Sequence, residues 1–201
     1  MVLDLVNTEL VNRGRPVDLL QTFEDLVSWL QQAGAIGERP AEEALNRWGG
    51  TRDADETLRY ALALRAALRE MAMQITQGAS VPTESLDLVN SILRRRHGYT
   101  QVVQSEDGYR RVFHLEVQQP EDLLVPVAEA AGDLICNADL SLIRKCENPK
   151  CVLYYWDTSK NHARRWCSMT VCGNRAKAAA HYRRVRAKAD STGSSPQDMD
   201  T

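Results

Sequence analysis

Apolar residues recur at helical spacing along most of the first 140 positions of this 201-residue chain. Leu19, Leu20, Phe23, Leu26, Val27 and Leu30 predict a helix capped by Asp18 and ended by Gly34. A shorter helix is expected after Pro40. From about Asp55, the positions Leu58, Ala61, Leu62, Arg65, Leu68, Met71 and Ile75 follow at three- and four-residue steps, predicting a long amphipathic helix that stops at Gly78. Thr83, after Pro82, caps a further helix through Leu86, Leu88, Val89, Ile92 and Leu93. It ends in Arg94, Arg95 and Arg96, three cations suited to the negative end of a helix dipole. The period then changes. Thr100–Gln104 and Tyr109–Val117 read as strands joined by the turn residues Ser-Glu-Asp-Gly, a β-hairpin. Pro120 opens another helix through Leu123, Leu124, Val127, Ala130, Ala131, Leu134 and Ile135, with Cys136 on its apolar side as a buried small hydrophobe.

At 43% hydrophobic and 26% charged residues the composition is globular, which excludes collagenous, low-complexity and largely disordered chains. Acidic or basic residues interrupt every apolar stretch before the roughly 20 positions a membrane helix needs. The N-terminus MVLDLVNTEL has neither a basic leader nor a small-residue cleavage site, so a cytoplasmic protein is expected. The net charge of −2 conceals a strong asymmetry. Residues 1–140 carry 13 Arg and no Lys against 22 Asp and Glu, a balance of −9, whereas residues 141–190 carry 12 Lys and Arg against three acids, a balance of +9. That is the footprint of a polyanion-binding module attached to an acidic domain; a solvated charged face on a small metal domain is the other explanation. The polar segment 191–201 reads as a disordered tail.

Four of the five cysteines lie in the basic third, Cys146 and Cys151 in CENPKC and Cys167 and Cys172 in CSMTVC. Two turns, each carrying a pair of thiolates, meet the tetrahedral soft-ligand demand of zinc without a large core. Two structural disulfides would suit a secreted scaffold, not a chain expected in the cytoplasm. The aromatic and β-branched residues between the pairs predict a second hairpin. From Gly173 a helix follows with a narrow apolar stripe, Ala178, Tyr182, Val185 and Ala189, placed to pack on that hairpin. Knuckle, hairpin and helix, with the last cysteine in the first helical turn, make the layout of a treble-clef finger. The expected fold class is α+β: a mainly helical N-terminal domain with a β-hairpin over 1–140, then a finger over 141–190.

The segment DTSKNHARRWCSMTVCGNRAKAAAHYRRVRA resembles the CGNR zinc finger, on the run Cys172, Gly173, Asn174, Arg175, both cysteine pairs, Asp157, Ser159, Arg164, Arg165, Trp166, Ser168, Met169 and Lys177. The opening LDLVNT, Leu3 to Thr8, together with the helix ending at Ala33 and Gly34, is similar to the ABATE domain that usually precedes this finger. The resemblance implies a bacterial protein described as a "putative stress-induced transcription regulator".

Three functions from different classes are compatible with these features. In a zinc-dependent DNA-binding transcription regulator, Arg164, Arg165, Arg175, Lys177, Arg183, Arg184 and Arg186 would supply the positive charge. Asn174 and Arg175 would then read base edges unless they brace the opposite knuckle or pair with Asp157. Trp156 and Trp166 are expected in the finger's core. The N-terminal domain would sense a small-molecule effector, with Asn7 and Thr8 as polar contacts, or assemble a homodimer. The alternative is a zinc-stabilised protein-interaction module without DNA binding. It is distinguished by whether the basic helix is open or packed against the acidic half. A metal-dependent nuclease would need a second metal around His162 and His181; no catalytic residues are assigned.

Overall fold

The computed structural model describes the backbone of residues 1–192 and the side chains through Ala187; of the tail expected over 191–201, residues from 193 on lie outside the described part. Helix α4, Arg52–Thr76, is the axis of the fold. Its buried positions are Ala54, Thr57, Ala61, Leu64, Arg65, Leu68, Met71 and Ala72, a stripe at helical spacing that faces the core. Around α4 pack α1, Val2–Val6, α2, Phe23–Gln32, and α5, Thr83–Leu93. Helix α3, Glu38–Trp48, lies on α2, and α6, Val125–Asn137, closes the bundle against α1 and α5. Leu5, Leu26, Leu30, Leu64, Ile92, Leu124 and Val127 are fully buried in the resulting core.

Several local expectations shift for physical reasons. A hairpin, β1, Glu9–Asn12, and β2, Arg15–Asp18, precedes α2, and Asp18 does not cap it. Thr22 does, accepting from the Asp25 amide in a reciprocal capping box, because Asp18 is engaged by Arg65. Leu19, expected in the helix's apolar run, is half exposed. Pro82, not Thr83, stands at the cap position of α5, without a side-chain bond. Cys136, expected to be buried, is exposed.

Two of the three arginines after α5 are tied to α6 and to the turn, residues 120–124, that leads into it. Arg95 bonds Asp122 at 3.0 Å and Glu121 at 3.2 Å, while Arg96 pairs with Glu129 and lies over the Phe113 ring. The expected hairpin follows as β3, Gly98–Ser105, and β4, Gly108–Leu115, antiparallel in full register around a Glu106-Asp107 turn. Gly98 is required there: φ is +153°, and a Cβ would lie 2.0 Å from the His114 carbonyl oxygen.

Beyond α6, strand β5, Ile143–Lys145, pairs antiparallel with β6, Tyr154–Trp156, and the first cysteine pair lies in the loop between them. The finger's hairpin therefore embraces the first knuckle, whereas it was expected between the two pairs. Residues 157–168 form an irregular loop because Asp157 organises them. Its buried carboxylate accepts from the Ser159 hydroxyl, the Ser159 amide and the Arg164 amide, and these bonds, led by the hydroxyl, hold its pKa below the usual range. A π-turn, Met169–Gly173, leads into α7, Asn174–Thr192, about 28 Å long at 1.5 Å per residue.

The N-terminal domain is pinned by a buried arginine. From α4, Arg65 donates to both carboxylate oxygens of Asp18 at 2.6 and 2.7 Å and to Thr8 Oγ1 at 3.0 Å. The Arg65 bond, ahead of burial that opposes it, lowers the Asp18 pKa. Its stabilisation is therefore complete above the unfolded carboxylate value of about 4 and is lost as pH falls through the lower folded value. Asp18→Asn should cost about 1–2 kcal/mol at neutral pH, a modest figure because Asp18 is a third exposed. The gap to wild type in thermal melts should narrow as pH is lowered from about 5 toward 3, and a constant gap would contradict the assignment.

Candidate metal centre and basic helix

Two turns of similar construction carry the four thiols. In the first, the Asn148 side chain accepts from the Lys150 amide and its carbonyl accepts from the Cys151 amide, bending the chain so that Cys146 and Cys151 face one point. In the second, Ser168 Oγ accepts from the Val171 amide and the Ser168 carbonyl accepts from Cys172 N–H, which winds the π-turn and turns Cys172 back toward Cys167. Asn174 Nδ2 donates to the Thr170 carbonyl and braces the same turn. A Cβ at Gly173 would fall 2.5 Å from Met169 Sδ, so only glycine leaves that side chain in place.

The sulfur atoms of Cys146, Cys151, Cys167 and Cys172 all lie within 4.8 Å of one another, and Cys151–Cys167 and Cys167–Cys172 are both 3.7 Å apart. A tetrahedron with metal–sulfur bonds of 2.3 Å has edges of about 3.8 Å, so the set has the size of a zinc–tetrathiolate centre and is far too wide for disulfides. The Cys167 amide points at Cys146 Sγ at 3.5 Å, an outer hydrogen bond of the kind that steadies a metal thiolate. Burial raises Cys146, but amide bonds from Cys167 and Asn148 outweigh it and hold the thiol below its ordinary value. Burial pushes Cys151 up to about 11, and burial with the neighbouring Cys151 pushes Cys167 up as well. Crowded thiolates without a cation resist ionisation, and a divalent ion offsets that cost. Zinc is the cofactor, and the chemistry and spacing of these four thiols fit them to hold it. Among the described residues this is the one such cluster of three or more metal-ligating groups.

Tyr155 and Trp166 pack on the thiols. Burial, then Asp157, pushes the Tyr155 hydroxyl up to about 12, so it stays protonated and donates to the Arg164 carbonyl. Trp156, by contrast, packs on the main core.

The seven cations singled out in the sequence divide into two groups. Arg164 lies over the Tyr155 ring and donates to the carbonyls of Trp166 and Cys167; Arg165 pairs with Glu147 at 2.6 Å and lies over Trp166. Both are tied into the finger. Arg175, Lys177, Arg183, Arg184 and Arg186 are exposed on α7, with no acidic partner among the described residues. Arg175 does not pair with Asp157. The expected packing of the apolar stripe on the hairpin is absent at Tyr182, 74% exposed, and Val185, 51% exposed, while Ala189 lies outside the described side chains. Through Ala187, α7 buries no residue, as its polar sequence leads one to expect. Between it and the first knuckle opens a cleft of about 550 Å³, lined by Lys150, Arg175 and Arg183, by Trp166 and the Glu147–Arg165 pair, and by the small Ala176 and Ala179. Lys150 escaped sequence reasoning because only the fold brings it to α7. His162 contacts the Asp157 carbonyl, and His181 is exposed on α7.

Asn7 and Thr8 lie on the path between the two halves. The Asn7 amide donates to the Tyr154 carbonyl at 2.7 Å and accepts from the Tyr154 amide at 3.0 Å, occupying the free edge of β6 as a strand would. Arg69 adds a bond to the Val152 carbonyl while holding the Val6 carbonyl. Ile143 and Tyr154 join the main core. Thr8 donates to the Leu5 carbonyl and accepts from Arg65. Beside Asn7 an open cleft of about 610 Å³ runs along the junction, touching Leu3, Leu134, Tyr155, Trp156 and Arg164.

Comparison with known families places both halves. The ABATE family model, described as "putative stress-induced transcription regulator", matches residues 1–138, and the CGNR zinc finger model matches residues 143–185. No curated protein matches the chain. No helix among the described residues is long and apolar enough to cross a membrane.

Cys172→Ser, or chelation at neutral pH, should release the second turn and melt α7, lowering far-UV helical signal while the main thermal transition survives. An unchanged spectrum after verified metal loss would refute this. Asn7→Ala should cost about 1–3 kcal/mol by leaving both backbone groups of Tyr154 unpaired, and should speed amide exchange at Tyr154 without doing so in the middle of α4.

Proposed function

We propose that this chain, which belongs to the ABATE family and carries a CGNR zinc finger, acts as a zinc-dependent DNA-binding transcription regulator in the cytoplasm. The observation that carries the reading is the open face of α7: five exposed cations and no acid between Asn174 and Ala187. Zinc fixes the point from which the helix departs, and the helix presents charge to phosphates. In the adjoining cleft, Lys150, Arg175 and Arg183 hold a phosphate while Trp166 offers an aromatic surface. Arg164 and Arg165 add to the local field and keep their internal partners. The family description is of a regulator, and no catalytic role is assigned to any residue.

The working division is an N-terminal domain over 1–140 that senses a small-molecule effector or dimerises, and a finger over 141–190. The junction cleft beside Asn7 supports the effector reading, because a molecule seated there would touch α1, α6 and Arg164 together. The alternative, a zinc-stabilised protein-interaction module, would use the same open face against an acidic partner. The acidic domain of this chain does not cover that face.

The test is binding of intact, zinc-loaded protein to random-sequence duplex DNA across a salt series, beside Arg183→Ala/Arg184→Ala/Arg186→Ala. Binding should weaken steeply with salt, and the triple variant should flatten the log–log slope by about 1 for each lost phosphate contact. Absence of binding at low salt would transfer the finger to the protein-interaction reading.

A further inference from the structure

The hairpin β3–β4 is a two-stranded arm whose strands pair with each other and pack extensively on no other element. A hairpin alone is marginal in water; three or more strands, or packing on a helix, make a sheet stable. Its two free edges differ. On β4, Arg110 and Arg111 are exposed near the tip, the Arg96 guanidinium lies 3.4 Å from the Phe113 ring centre, and Leu115 packs on the core. That edge is guarded by charge and covered at its base. Strand β3, GYTQVVQS, has no charged residue and no proline, and Gly98–Val102 and Gln104 are exposed. An uncharged, β-rich strand of this kind is the edge that proteins normally block.

The register decides which backbone groups are free. With Glu106 and Asp107 as the two-residue turn, Ser105 and Gly108 form the closing hydrogen-bonded pair. By alternation, Tyr99, Gln101 and Val103 direct their N–H and C=O groups to β4, and Thr100, Val102 and Gln104 direct theirs outward. We infer that the β3 edge pairs antiparallel with the β3 edge of a second copy of this chain, about a twofold axis at Val102, forming one four-stranded sheet. Thr100 then faces Gln104 of the second copy, Val102 faces its equivalent, and the 64% exposed Val102 side chain gains an apolar neighbour.

Charge selects this occupant. With the axis at Val102, the acidic tip of each arm, Glu106 and Asp107, comes beside Gly98 and His97 at the base of the other, three residues along the chain from the exposed Arg94. The contact occurs twice by symmetry. A parallel arrangement would set acidic tip against acidic tip. The pairing supplies the assembly half of the function proposed above and rests on it to that extent. It would place two basic helices on one particle, as a twofold DNA site requires.

Sedimentation velocity on the full-length zinc-loaded protein, without DNA, tests the pairing. Wild type should be a reversible dimer at micromolar concentration. Val102→Pro removes an outward N–H that β4 does not use, so helical content and zinc stoichiometry should be retained while the dimer dissociation constant rises roughly 50-fold, from two lost interchain bonds per dimer. Should Val102→Pro fail to fold, Glu106→Lys/Asp107→Lys, confined to the exposed turn, should weaken the dimer roughly 10-fold at low salt, with the difference shrinking as salt is raised. A monomeric wild type overturns the inference, and so does a dimer that folded variants leave intact. A dimer that binds no DNA would sink the regulator reading and leave the pairing standing; a monomer that binds DNA would do the reverse.

Discussion

The C-terminal part of this protein has almost no hydrophobic interior of its own, and that scarcity governs how the whole finger is built. Apart from the four zinc ligands, its private core consists of Tyr155 and Trp166. So small an apolar contact cannot offset the entropy of ordering some forty residues. The metal does so instead: four thiolates drawn from two turns fix both ends of the irregular loop and the starting direction of α7. A helix that buries no residue through Ala187 takes its starting direction from the turn before it, and Cys172 clamps that turn.

The finger is nevertheless not a separate body. Ile143 and Tyr154 belong to the main core, Asn7 bonds the backbone of the finger's outer strand, and Arg69 bonds the Val152 carbonyl just before it. Asn7 achieves with one amide side chain what a neighbouring strand achieves with its backbone, donating and accepting at a single residue. The LDLVNT segment thus acts as a latch. Asn7 holds the finger, while Thr8, one residue on, joins the Arg65–Asp18 network that holds the domain. A molecule in the junction cleft would lie beside this latch and beside Arg164, whose guanidinium binds carbonyls of the second turn. If the proposed effector binds there, these contacts are where it would meet the support of α7.

Charge follows the same division of labour. The arginines of the first 140 residues include several that are internal braces: Arg65 to Asp18, Arg95 to Asp122, Arg96 to Glu129. Those of α7 have no such partners among the described residues. Equal residue types therefore carry opposite roles, according to whether an acid lies within reach, and a count of charges cannot separate them.

Local periodicity and ligand chemistry were legible in the sequence alone. The long helix α4, the hairpin around Glu106 and Asp107, the cluster of four cysteines and the basic run of α7 all express patterns contained within a few turns of chain, where spacing dictates geometry. What lay beyond reach was set by partners distant in sequence. Asp18 reads as a helix cap until Arg65, 47 residues away, claims it. The aromatic run after Cys151 reads as half of a hairpin with the residues beyond it, but its strand pairs with Ile143–Lys145 and Asp157 bends the rest into a loop. Tyr182 and Val185 read as a packing stripe although nothing faces them. A sequence states what each residue offers to its surroundings; only the tertiary structure decides which offers are met, because burial and hydrogen bonding depend on neighbours that the chain brings together after folding.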